Sequence, residues 1–219
     1  MMLYSVIIEP YKHNHAITNC RGCDESDMNR KERREVKIKF MMERIFACCC
    51  ENGLRDISIR LLCAACDTTI ASMYQYFEDM DDMVLKSTAY CMAKVEADFM
   101  ALSPTSVADI RRFLDEVPYW TAREHGAKYR LMYQVYTTPK YLEHGKAFFK
   151  GVEQRYTEYA KELAPRLGIP WQVVQPLIFT FVRASVHYAL FEDEDYLKPQ
   201  LELIWQTCLM MSEKYTSAN

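Results

Sequence analysis

From residue 29 onward, apolar residues recur at three- and four-residue intervals along the chain. Met41, Ile45, Cys48 and Cys49 follow an i, i+4, i+7, i+8 stripe, the spacing that gathers side chains on one face of a helix. Just upstream, "NRKE" predicts a capping box in which Asn29 accepts from a backbone amide and Glu32 reaches back. Gly53 in "ENG" supplies the stop. Ser58 is expected to cap a second helix with Ile59, Leu62, Cys63 and Cys66 turned inward, Asp67 to sit in a tight turn, and Thr69 to cap a third, short helix. Asp79 with Asp82 caps a fourth, which runs at helical period to about Leu102, where "SPTS" breaks it. Further helical stretches are predicted over roughly 106–117, 119–136, 139–164, 171–191 and 199–215. They are punctuated by Pro118, Pro139, Gly168, Pro170 and Pro199, and Pro176 predicts a kink. Outside the first eight residues no run alternates with a strand period. The expected fold class is all-α, with residues 1–28 a flexible extension outside the main fold.

Composition narrows the chemistry. In a chain of 219 residues, half of them apolar, a large core is easily supported. The 27 basic and 30 acidic residues give a net charge of −3, which does not advertise a polyanion partner and makes the local distribution decisive. Only six Gly are present, and the patterns G-x-G-x-x-G, G-x-x-x-x-G-K-[ST] and G-x-S-x-G are absent, so neither phosphate cradle nor nucleophile elbow is available. No nucleophile, base and orienter set is found. The chain is expected not to be an enzyme and to need no cofactor. The run "PLIFTFV" ends at Arg183, well short of the roughly 18 to 20 apolar residues that cross a bilayer. "MMLYSVII" lacks a basic n-region and a cleavage site. The expectation is a cytoplasmic protein without a membrane partner, whose nine Cys are buried hydrophobes or free thiols.

Two short helices joined by the turn "CDT" and buttressed by a longer one make a helix-turn-helix, whose second helix can lie in the DNA major groove. That second helix lies in "DTTIASMYQYF", where Gln can pair with adenine, Thr and Ser can reach bases or phosphates, and Tyr can donate to a phosphate oxygen. Gly53, "ISI" at 57–59, "LLCAAC", "DTTIASMYQYF" and "EDMDDMV" resemble the N-terminal pattern of TetR-like transcriptional regulators. The resemblance covers about residues 30–90 by motif. It implies a helix-turn-helix DNA-binding domain over 29–80 and a helical ligand-binding and dimerisation domain over 81–219. It further implies a homodimeric, ligand-responsive repressor with double-stranded DNA and an unidentified small-molecule effector as partners. Thr68, Thr69, Ile70, Ala71, Ser72, Tyr74, Gln75 and Tyr76 fall where the family's DNA-facing helix lies.

The chain departs from that pattern in its charges. Asp67 replaces the turn Gly, and Met80 stands where the family commonly has a phosphate-contacting Lys. No basic residue lies between Arg60 and Lys86, whereas Asp67, Glu78, Asp79, Asp81 and Asp82 are acidic, a poor balance for affinity that comes from neutralising phosphates. Helix capping accounts for the three Asp at the start of the fourth helix. Arg30, Lys31, Arg33, Arg34, Lys37 and Lys39 at the start of the first helix offer compensation, the first four being the expected phosphate contacts. A regulator-shaped adaptor that has lost operator binding is the alternative.

In the C-terminal region His125, Tyr129 and Tyr133 repeat every four residues, with Trp120 and Tyr136 nearby, and Arg183 and His187 form a second i, i+4 pair in an apolar segment. Such stripes read as core, or as an aromatic pocket with a few polar tips. Trp120, His125, Tyr129, Tyr133, Arg183 and His187 are the candidate ligand residues. The last two helices offer apolar surface for a dimer seam, with Trp205 as its anchor. His13, His15, Cys20 and Cys23 are zinc-type ligands, but their spacing matches no standard finger. No metal site is therefore assigned.

Overall fold

The structure, a computed structural model, describes residues 29–216. Among them are eight α-helices and one 3-10 turn: α1 Arg30–Asn52, α2 Ile59–Ala65, α3 Ile70–Met73, α4 Met80–Ala101, α5 Val107–Thr137, the turn Pro139–Tyr141, α6 Leu142–Leu167, α7 Trp171–Phe191 and α8 Glu194–Thr216. The all-α fold class holds. The expected extension over 1–28, with its His and Cys set, lies outside the described residues.

The chain divides into two compact units, Met1–Ile38 and Lys39–Asn219. In the first, the described part is the opening of α1. Its capping box forms: Asn29 Oδ1 accepts from the Lys31 and Glu32 amides at 3.0 Å, and Glu32 Oε2 accepts from the Asn29 amide at 2.9 Å.

In the second unit, the rest of α1 turns Met41, Ile45, Cys48 and Cys49 inward until Gly53, at φ +76°, ends the helix. These side chains share one core with Leu62, Met73 and Phe77 from the α2–α3 region, Met83, Met92 and Val95 of α4, and Met132, Val135 and Tyr136 of α5. The rest of α1 and the two short helices therefore do not float; they are packed onto α4. Beyond them α7 packs along α5, α6 and α8. Gly126 lets α5 approach α7, where an added Cβ would meet the Ala189 carbonyl at 3.2 Å.

Three boundaries differ from the sequence expectation. Residues 106–117 and 119–136 form one helix that runs through Pro118, fully buried in its interior. Ile110, Leu114, Val117, Trp120 and Thr121 continue one buried stripe across it. Burying that stripe outweighs the backbone bond that proline forfeits. Likewise α6 includes Pro165 in its last turn, and α8 starts at Glu194, ahead of Pro199. Trp205 is half-buried, whereas Phe191, Tyr196, Leu203 and Met210 are the exposed apolar residues of α7, α8 and the turn between them.

Candidate functional site

The segment after α2 is built by local chemistry. Asp67 takes a left-handed conformation at φ +47°, turning the chain as a Gly would. Thr69 is extended, and its Oγ1 accepts from the Ser72 amide at 3.2 Å, starting α3. Regular helix lasts only Ile70–Met73. The Gln75 and Tyr76 amides then bond to the Ser72 and Met73 carbonyls, tightening the chain to Phe77. Met73 and Phe77 are buried at 0% and 2% exposure and pin the segment to the core. Ile70 at 42%, Tyr74 at 47%, Thr69, Ala71 and Gln75 are exposed, with Thr68, Ser72 and Tyr76 half-buried. All eight candidate residues thus reach the surface of one short, rigidly anchored segment. Of the other candidates, Arg30, Lys31, Arg33 and Arg34 are all exposed on the opening turns of α1.

The acidic turn that follows is accounted for side chain by side chain. Asp79 caps α4, accepting from the Asp82 amide at 2.8 Å, and Asp82 accepts from the Glu78 amide at 3.0 Å and from Lys86 at 2.8 Å. Asp81 pairs with Lys140 and accepts from the Tyr141 hydroxyl at 2.6 Å. Those hydrogen bonds to Lys140 and Tyr141 hold its carboxyl below the usual range. The fold therefore brings a cation, Lys140, beside the start of α4 from far along the chain, where linear inspection finds none.

The six candidate ligand residues do not gather around one hollow. Trp120 and His125 are buried edge to face, ring centres 4.8 Å apart, with His125 Nδ1 3.0 Å from Lys128 Nζ and Nε2 3.9 Å from Asp98. Tyr129 is buried, and burial pushes its phenol well up. Tyr133 lies near the surface within the field of exposed Arg183. His187 stacks at a tilt on Tyr196, 4.2 Å away, and reaches Asp193 at 3.4 Å.

The hollows lie elsewhere. An apolar slot of about 50 Å³ opens between α5, α6, α7 and α8 at the end of α4, walled by Phe99, Phe113, Leu163, Leu177, Ile178 and Phe181 among others. It shares Tyr159 and Leu163 with a wider groove of about 730 Å³ that carries Ser103, Arg155, Glu158, Glu162 and Arg166. Arg155 grips buried Glu96 of α4 through two bonds of 2.7 and 3.0 Å, and Tyr159 meets the Ser103 hydroxyl at 2.5 Å. Sequence reasoning passed over these residues. A carboxylate inside the apolar stripe Met92, Val95, Phe99 was the visible signal, but its partner lies 59 residues away.

Burial drives the thiols up, Cys49 and Cys91 to about 12 and Cys50, Cys66 and Cys208 to about 11. They stay protonated and inert at neutral pH. Among the described residues no group of His, Cys, Asp and Glu is arranged to hold a metal ion.

No protein-family model matches this chain, and no curated protein matches it in sequence. Solved structures do match its fold. A TetR transcription regulator from Haloarcula marismortui superposes with a TM-score of 0.60 at 15% identity, covering 83% of this chain and 98% of that one. A TetR family transcription regulator from Marinobacter aquaeolei gives 0.50 at 13% identity, covering 80% and 97%. The chain has a TetR-like fold.

Proposed function

We propose that the chain is a DNA-binding transcriptional regulator, a ligand-responsive repressor acting in the cytoplasm as a homodimer. The observation that carries this reading is the short α3 segment, pinned by Met73 and Phe77 and turning Thr69, Ile70, Ala71, Tyr74 and Gln75 to solvent. Residues 29–80 are the DNA-reading part, and 81–219 the effector and dimerisation part. In the major groove Gln75 pairs with an adenine edge, Thr69 and Ser72 reach bases or phosphates, and Tyr74 and Tyr76 donate to phosphate oxygens, with Thr68 and Ala71 at the groove wall. Arg30, Lys31, Arg33 and Arg34 supply phosphate neutralisation. In the dimer, the exposed apolar residues Leu203 and Met210 of α8 and Phe191 of α7 meet their copies, and the two α3 segments sit about 34 to 36 Å apart, one DNA turn. An effector works by favouring the dimer in which that spacing is wrong, by no more than its differential affinity for the two states.

Fluorescence anisotropy on the duplex flanking its own gene, at two salt concentrations, tests this. Four phosphate contacts from each protomer, eight in the dimer, give a slope of log K on log salt of about −7. Gln75→Ala should cost about 1–3 kcal/mol on the cognate duplex and little on a scrambled one. The adaptor reading, supported by the acidic residues Glu78, Asp79, Asp81 and Asp82, requires no binding even at low salt. Against it stands the structural employment of Asp79, Asp81 and Asp82 as caps and pair partners.

A further inference from the structure

The slot and groove at the end of α4 adjoin, with Tyr159 and Leu163 lining both. The slot is walled by aliphatic and aromatic side chains. Its rim carries the Tyr159 hydroxyl, 2.5 Å from the Ser103 oxygen of the groove, whose own proton goes to the Met100 carbonyl at 2.5 Å. At about 50 Å³ it is small, so it admits a slender apolar group only as its flexible side chains part. On the groove side Arg166 is exposed, makes no ion pair among the described residues, and lies close enough to Tyr159 to act on its hydroxyl. Glu158 is occupied by Lys161 at 2.9 Å, while Glu162, one turn before Arg166, is the carboxylate facing any bound anion.

We infer that slot and groove together bind a slim anionic amphiphile, its unbranched alkyl chain in the slot and its carboxylate at Arg166 and the Tyr159 hydroxyl. An apolar chain gains from leaving water, and the carboxylate stays hydrated on one side while accepting charge-assisted bonds on the other. The head must part the Ser103–Tyr159 pair, and it lies beside Arg155, which holds Glu96. Ser103 follows α4 directly and Glu96 lies on it, so occupancy acts on the helix whose other end, about 33 Å away, follows α3. The regulatory half of this inference rests on the regulator reading; the binding half does not.

Calorimetry on the full chain without DNA tests the binding, using decanoate, decan-1-ol and decylamine. Decanoate should bind about tenfold more tightly than decan-1-ol. Arg166→Ala, a surface change that leaves the fold intact, should erase that preference, and Glu162→Gln should enlarge it. Leu177→Trp, checked by its melting curve, should fill the slot and abolish binding of both. Equal affinity for the three compounds, tighter decylamine, or wild-type decanoate binding by Leu177→Trp overturns the site. Decanoate binding that leaves the affinity for DNA unchanged supports the site and sinks only its regulatory role.

Discussion

Glu96 is a carboxylate 6% exposed among apolar neighbours, tolerable because Arg155 covers both oxygens while its own guanidinium stays nearly half exposed. The pair is therefore asymmetric. Arg155→Met strands a buried charge and should cost about 3 kcal/mol, whereas Glu96→Gln lets Arg155 turn to water and should cost about 1 kcal/mol; urea titration of both variants measures the difference. Asp81 behaves differently, being partly exposed and paired with Lys140. Its folded carboxyl is held below the unfolded value, so its stabilisation is present above about pH 4 and disappears as pH falls through the folded value. At this scale the sequence marks unusual residues but not their partners. Glu96 stands out in the stripe, whereas Arg155 and Tyr141 are ordinary residues until the fold brings them close.

Helix starts were the most legible elements, because a cap is a contact within three residues. Asn29 with Glu32, Ser58, Thr69 and Asp79 each bond as their spacing predicts. Prolines were the least legible, since Pro118, Pro165 and Pro199 all sit inside helices held by packing. Glycine at close approaches was equally silent. A Cβ on Gly145 would lie 2.7 Å from the Tyr136 carbonyl oxygen, at the crossing of α6 on α5. Backbone cannot yield as a side chain does. Gly145→Ala should therefore push the two helices apart and cost about 1–3 kcal/mol by thermal or urea melting, despite alanine's better helix propensity.

For the whole molecule, the exposed apolar residues are the informative ones. Leu203 at 59% and Met210 at 60% lie two turns apart on α8, where the proposed homodimer buries them. Leu203→Glu should leave the melting temperature of the single chain unchanged and weaken dimerisation at least about tenfold, read by sedimentation as a shift to monomer mass. The helix-turn-helix was legible because its caps, turn and anchors are local; the hollow was not, since its wall is drawn from five helices. The span of α4 gives a last consequence. Glu96 divides it unequally, about 10 Å from Ser103 and about 22 Å from Asp81. On the proposed reading a ligand beside Ser103 acts on the short arm, and the helix-turn-helix rides on the long one.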